Sequence, residues 1–108
     1  MARYLLEVDV APQTFGALIK RPQNRADAIR PMFEAVGGKL EEYYFVVGGS
    51  RVYLLCDVPD ALSLEALTMA TLGGGAVTSF RAIPLMTAVE AEQAMRNAKD
   101  VAYRPPSS

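Results

Sequence analysis

The stretch YYFVVGGSRVYLLCDVPD, residues 43–60, decides the fold of this chain. Two runs rich in β-branched and aromatic residues flank a Gly-Gly-Ser segment, which is the pattern of a β-hairpin. Because successive side chains of a strand point to opposite faces of a sheet, the second run divides into an apolar set and a polar set. The apolar set is Val52, Leu54 and Cys56, and the polar set is Arg51, Tyr53 and Asp57. The hairpin therefore predicts a sheet with one face in the core and one face that carries polar groups.

The register of this hairpin assigns the side chains of its first strand. The two strands are KLEEYYFVV (39–47) and RVYLLCDV (51–58), and we expect Val47 to face Val52 across the turn. The core face then also takes Tyr43, Phe45 and Val47. The opposite face, which we call the open face, receives Glu42, Tyr44 and Val46 beside Tyr53, Leu55 and Asp57.

The segments around the hairpin predict two more strands and three helices. ARYLLEVDV (2–10) and AVTSFRAIPL (76–85) alternate as strands do. Each helix opens at a residue with a capping side chain, and the helices are expected over residues 24–37, 60–72 and 87–99, starting at Asn24, Asp60 and Thr87. Pro31 should kink the first helix or separate its first turn, and residues 14–20 predict only a short helical turn.

The order of these elements defines the fold class. The arrangement β-α-β-β-α-β plus a terminal helix predicts an α+β, ferredoxin-like fold of the dimeric α/β-barrel type. Its four-stranded antiparallel sheet carries two helices on one face. We expect a single domain over residues 1–98 and a flexible tail over residues 99–108.

The composition excludes several classes of function. The chain has no histidine and one cysteine, which removes Ser-His and Cys-His nucleophile pairs, His-ligated zinc or haem, and an internal disulfide framework. We therefore expect no metal and no cofactor. The net charge of −1 argues against nucleic acid or a membrane as a partner. Charges interrupt the run MARYLLEVDV, so it is neither a signal peptide nor a membrane span, and we expect a cytoplasmic protein.

Four segments carry a resemblance to a known family: MARYLLEVDVAP, NRADAIRPMFEAVGGKLEEYYFVVG, the VPD turn and GAVTSFRAIPLMTAVEAEQA. They resemble the GYD-domain family, small bacterial proteins of ferredoxin-like type and largely unassigned function. The resemblance covers roughly residues 2–96, and its most distinctive feature is Glu34 through Gly38 leading into Tyr44 and Gly48. Where the family has Gly-x-Tyr-Asp after the second strand, this chain has Gly-Gly-Ser-Arg at residues 48–51. The resemblance implies the fold and leaves the function unassigned.

The apolar side chains of the open face predict self-association. They are Leu5, Tyr44, Val46, Tyr53, Leu55, Val77 and Ile83. Together they form more apolar surface than a monomer leaves in water. The helix over residues 60–72 has one charged residue, Glu65, and therefore also lacks a polar exterior. We expect a homo-oligomer, at least a dimer, in which a partner covers the open face.

Charged side chains share that face by parity: Arg3, Glu7, Asp9, Glu42, Asp57 and Arg81. Charges enclosed between packed sheets are costly unless they are paired or hydrated. One interpretation is that Arg3, Glu7 and Arg81 pair across neighbouring strands. The other is a polar-lined cavity in which tyrosine hydroxyls and a guanidinium bind a ligand. For that cavity we expect Arg81 on a strand that neighbours the first hairpin strand.

The candidate ligand-binding residues are Glu7, Glu42, Tyr44, Tyr53, Ser79 and Arg81. The first hypothesis is that they bind a small organic ligand between the open face and a partner subunit. The second is a cofactor-independent isomerase, cyclase or monooxygenase that acts on an oxygenated or aromatic substrate. Its base would be Glu7, Asp9 or Glu42, and Tyr44, Tyr53 or Arg81 would stabilise an enolate. The third is a structural assembly module.

Two other features have a structural and a functional interpretation. Lys20, Arg21 and Arg25 could rim a pocket and attract an anionic ligand, although a solvated loop is the simpler interpretation. Cys56 points into the core by parity, which indicates a small buried hydrophobe and not a nucleophile.

Overall fold

Four strands and four helices follow one another along residues 1–107, which the computed structural model describes. The strands are β1 Ala2–Val10, β2 Lys39–Phe45, β3 Arg51–Val58 and β4 Val77–Leu85. The helices are α1 Pro12–Lys20, α2 Arg25–Ala35, α3 Ala61–Gly73 and α4 Ala88–Ala98. The predicted tail has no regular secondary structure over residues 101–107, and its last residue, Ser108, lies outside the described residues.

The four strands form one antiparallel sheet in the order β2-β3-β1-β4. Phe33 of α2 and Leu67 of α3 are buried in the same core cluster, so both helices cover one face and leave the other open. This arrangement confirms the predicted α+β, ferredoxin-like fold. The expectation that Arg81 lies beside the first hairpin strand is wrong, because β4 pairs with β1 at the edge opposite β2. The β2–β3 hairpin fills one side of β1, and the second crossover leaves only the other side for β4.

The helices begin at the predicted caps. The side chain of Asn24 accepts a hydrogen bond from the backbone N–H of Asp27 at 3.3 Å, and that of Asp60 accepts one from Ser63 at 2.8 Å. Thr87 forms the complete capping box that precedes α4. These starts depend on contacts within three residues, which is why the sequence predicts them.

Helix α2 is continuous through Pro31, so of the two predicted effects of this proline the separation of the first turn does not occur. Ile29 and Phe33, on either side of the proline, both pack against the core. Helix α1 has nine residues and is longer than the predicted turn. The hydroxyl of Thr14 in α1 donates a hydrogen bond to the carbonyl oxygen of Ala76 at 2.7 Å and so ties α1 to the segment before β4.

The hairpin register preserves the predicted faces but moves the turn. Phe45 lies opposite Val52, whereas Val47 is in the loop and is 99% exposed. The expected pairing of Val47 with Val52 is therefore wrong. A β-bulge in β2 inserts Glu41 between the partners of neighbouring β3 residues.

The predicted position of Val77 on the open face is wrong, because a second β-bulge changes the register of β4. The register between β1 and β4 shifts after Asp9, so that Val77 lies opposite Val10. Val77 consequently packs against the core and does not belong to the open face. One inserted residue reverses the parity of every side chain beyond it, and parity counting from the sequence did not include this bulge.

The core lies between the sheet and helices α2 and α3. The strands contribute most of its buried side chains, among them Leu6, Val8, Val52, Leu54, Cys56 and Val58. Cys56 is fully buried, and this burial raises the pKa of its thiol to about 11. The predicted core position of Cys56 is confirmed.

Helix α4 buries none of its residues. Val89 and Met95 on this helix are 80% and 67% exposed, and the chain as described is elongated, with extents of 59 × 36 × 24 Å. Along residues 1–107, every helix is too short or too polar to cross a lipid bilayer.

Candidate functional site

Four of the six candidate residues lie in one row across the open face. The register places Tyr44 of β2 opposite Tyr53 of β3, Tyr53 opposite Glu7 of β1, and Glu7 opposite Arg81 of β4. Side chains directly opposite each other on neighbouring antiparallel strands are in contact distance. The row of Tyr44, Tyr53, Glu7 and Arg81, which we call the Tyr-Glu-Arg row, therefore presents two phenols, a carboxylate and a guanidinium along a line that crosses all four strands.

Glu7 and Arg81 form an ion pair inside this row. Nη1 of Arg81 lies 3.5 Å from Oε2 of Glu7, and the two side chains are 75% and 18% exposed. This distance is longer than a usual hydrogen bond, so the guanidinium keeps N–H donors for a further acceptor. The predicted cross-strand pairing of Glu7 with Arg81 is confirmed, and Arg81 still faces outward with donors to offer.

Arg51, Asp9 and Ser79 form the next row along the sheet. Asp9 accepts two hydrogen bonds from the guanidinium of Arg51, at 3.1 and 3.3 Å, and one from the hydroxyl of Ser79 at 2.6 Å. The hydrogen bonds from Arg51 and Ser79 lower the pKa of Asp9 below its usual range. A lowered pKa makes a carboxylate a weaker base, so Asp9 is poorly suited to the general-base role considered above.

The same contacts act on the other members of this row. Its hydrogen bonds with Asp9 raise the pKa of Arg51, and the neighbouring Tyr53 adds to the rise. Ser79 is engaged by Asp9 and lies one row away from Arg81. The Asp9–Arg51 pair was not predicted, although parity places both residues on the open face at the same end of the sheet.

On the other side of the Tyr-Glu-Arg row lies an apolar row. Leu55, Leu5 and Ile83 face one another across β3, β1 and β4, and all three are half-buried. Glu42 lies opposite Leu55 at the β2 edge, where it is exposed. The open face therefore offers an apolar strip beside a line of hydroxyl, carboxylate and guanidinium groups.

A third cluster of charged residues lies at the far end of the open face. Arg3 contacts Asp57 at 3.2 Å and Glu41 at 3.6 Å, and Lys39 also contacts Glu41 at 3.5 Å. Arg3 is thus paired with Asp57 and Glu41, and not with Glu7. Glu41 and Glu42 are neighbours in β2, and a regular strand turns neighbouring side chains to opposite faces. This pair of glutamates is the sequence signal that could have indicated the bulge at Glu41. In the described part of the chain no three acidic or cysteine side chains converge as metal ligands.

In a single chain the Tyr-Glu-Arg row is a surface and not a pocket. The structure of residues 1–107 has four marked concavities, and none of those four is lined by any of the six candidate residues. The most apolar of them lies on the other side of the sheet, between α2 and α3. A second protein surface is required to enclose a ligand above the row.

The sheet, its two covering helices and the polar open face define a small α+β protein of ferredoxin-like architecture. A comparison with protein families matches the GYD domain over residues 4–95, which is most of the 108-residue sequence. The chain therefore belongs to the GYD-domain family, as its resemblance indicated. A search of curated proteins finds no match. The matched range contains every residue of the Tyr-Glu-Arg row.

Proposed function

We propose that this protein is a cytoplasmic homo-oligomer, at least a dimer, that binds a small organic ligand between the open face and a partner subunit. One observation carries the proposal: Tyr44, Tyr53, Glu7 and Arg81 line up across all four strands, directly beside an apolar row. Ligand sites in proteins combine apolar walls with a small number of polar groups that orient the ligand. This row and its apolar neighbour are such a combination.

The oligomer follows from surfaces that lack a partner. The apolar row of Leu55, Leu5 and Ile83 continues into the two tyrosines, of which Tyr44 is 59% exposed. On α3, Leu62 and Met69 are 81% and 67% exposed. Exposed apolar surfaces of this kind mark protein–protein contacts. A partner that covers the open face removes its apolar row from water and also encloses the Tyr-Glu-Arg row.

The row selects an oxygenated or carboxylate ligand. Arg81 offers two directed N–H donors in a planar arrangement that a lysine does not reproduce. Glu7 forms an ion pair with this guanidinium and is the less exposed member of the pair. The phenols of Tyr44 and Tyr53 add donors or acceptors toward the β2 edge.

Native mass spectrometry and light scattering of the freshly purified protein test this function. We expect a multiple of the chain mass together with a co-purified small molecule. Arg81→Ala should weaken retention of that molecule by about 1.5–3 kcal/mol, the scale of a charge-assisted hydrogen bond. Because the Arg81 side chain is 75% exposed in the single chain, its truncation should lower the free energy of unfolding less than a core truncation does, which costs about 2–5 kcal/mol.

The exposed Arg104 supplies the matched control, since Arg104→Ala removes the same charge from the tail. It should leave both the assembly and the bound molecule unchanged. Unaltered ligand retention in Arg81→Ala, combined with a large loss of stability, would show that Arg81 is only a structural partner of Glu7. A stable monomer at micromolar concentration would contradict the proposal as a whole.

A further inference from the structure

The helix-covered side of the sheet contains a cavity that the open-face site does not use. It has a volume of about 220 Å³ and lies between α2 and α3. Its floor is formed by strand side chains, and its walls are formed by the two helices, including Val52, Phe80, Ile29, Phe33, Leu67 and Ala70. An apolar cavity of about 150 Å³ is large enough to bind benzene, so this one accommodates a single ring or a short alkyl chain.

Arg25 is the one charged residue that lines this otherwise apolar cavity. The Arg25 side chain is half-buried and donates a hydrogen bond to the side-chain oxygen of Gln23 at 3.0 Å. Among residues 1–107 it forms no ion pair with a carboxylate, unlike Arg3, Arg51 and Arg81. A guanidinium that lines an apolar cavity and has no carboxylate partner keeps N–H donors for an external anion.

Tyr43 supplies a second polar group at the same place. Its half-buried ring lines the cavity and packs against Phe45, with ring centroids 5.2 Å apart. Burial raises the pKa of the Tyr43 hydroxyl, and the positive charge of Arg25 opposes part of that rise. The phenol stays neutral at physiological pH, and Tyr43 and Arg25 line the same cavity.

A wider concavity adjoins the cavity and makes its mouth cationic. The two share Arg25, Gly74 and Ala76, and the outer one also contains Arg21. No acidic side chain of residues 1–107 lines either of the two. An entering anion therefore meets two guanidinium groups and no carboxylate.

We propose that the cleft between α2 and α3 binds a small amphipathic carboxylic acid. Its apolar body fills the cavity, and its carboxylate contacts the Arg25 guanidinium and the Tyr43 hydroxyl. This site lies on the opposite side of the sheet from the Tyr-Glu-Arg row and shares no residue with it. The two proposals therefore stand or fall separately.

Octanoate and the uncharged 1-octanol are suitable probes, because they have the same chain length and differ in the head group. We expect octanoate to bind the full chain with a dissociation constant below about 1 mM by titration calorimetry. Arg25→Gln should weaken octanoate about tenfold or more and change octanol binding less than about twofold. Arg104→Gln, which removes the same charge from the exposed tail, should change neither.

Ala70→Phe enlarges a side chain at the wall of the cavity without removing a charge, so it should weaken both probes by a similar factor. Amide chemical shifts in the wild-type protein should move in α2, α3 and at Tyr43, and not along the Tyr-Glu-Arg row. If the wild-type protein binds neither probe, the cleft is closed or occupied by a partner side chain and the proposal is wrong. Equal octanoate affinity in Arg25→Gln and wild type would also overturn it, as would shifts confined to the open face.

Discussion

In the proposed oligomer, a negative charge at the centre of the open face should separate the subunits. Leu55 lies between Leu5 and Glu42 in the sheet register and is half-buried in the single chain. In Leu55→Asp, the new carboxylate has a leucine on one side and a like charge on the other, and the diagonal Arg3 is already paired with Asp57 and Glu41. Its energetic cost therefore depends on whether a partner covers this face.

For a proposed dimer, the size of the effect follows from its twofold symmetry. In a twofold dimer the same residue occurs twice in the interface, and each unpaired buried charge costs about 3–5 kcal/mol. Two such charges amount to about 6–10 kcal/mol, which raises the dissociation constant by a factor of about 10⁴ to 10⁷. In a monomer with a wet open face, the same change costs only about 1 kcal/mol of stability.

Light scattering across a micromolar concentration series measures this difference directly. The matched control is Val101→Asp, which introduces the same charge at a position that is 70% exposed in the tail. We expect Leu55→Asp to give folded or partly unfolded monomers while Val101→Asp keeps the wild-type mass. If Leu55→Asp assembles like the wild type, the open face is not the interface and the reasoning from its apolar row is wrong.

Three further predictions concern the sheet and the core. Hydrogen bonds lower the pKa of Asp9 in the folded protein. The contribution of Asp9 to stability is therefore complete above its unfolded-state pKa and is lost as the pH falls through its folded-state pKa. An NMR titration should show that the pKa of Asp9 rises in Arg51→Gln. Phe33 is 3% exposed, and Phe33→Ala should cost about 3–5 kcal/mol in urea unfolding, whereas Phe45→Ala, at a position 47% exposed, should cost much less. The Cys56 thiol, with its pKa raised to about 11, should react with iodoacetamide at pH 8 far more slowly in the native protein than in urea, and equal rates would contradict its burial.

The sequence predicts the parts of this protein that depend on short-range patterns. The alternation of Val52, Leu54 and Cys56 with polar residues follows from the two-residue period of a strand, and the structure confirms both faces. The helix starts at Asn24 and Asp60 depend on a side chain within three residues of the N–H groups that it caps. For the same reason, parity alone was sufficient to place the members of the Tyr-Glu-Arg row on one face.

The tertiary structure decides what parity cannot. The bulge in β2 is fixed by its pairing with β3, and the register shift that turns Val77 into the core is fixed by the pairing of β4 with β1. The position of Arg81 at the edge beyond Glu7 depends on strand order, which is a property of the whole sheet. In the α2–α3 cleft, Arg25, Tyr43 and Ala70 meet although they are distant in the chain, because the packing of two helices on one sheet leaves space between them. A local sequence pattern does not predict this cavity, because its volume depends on the distance between the two helices on the sheet.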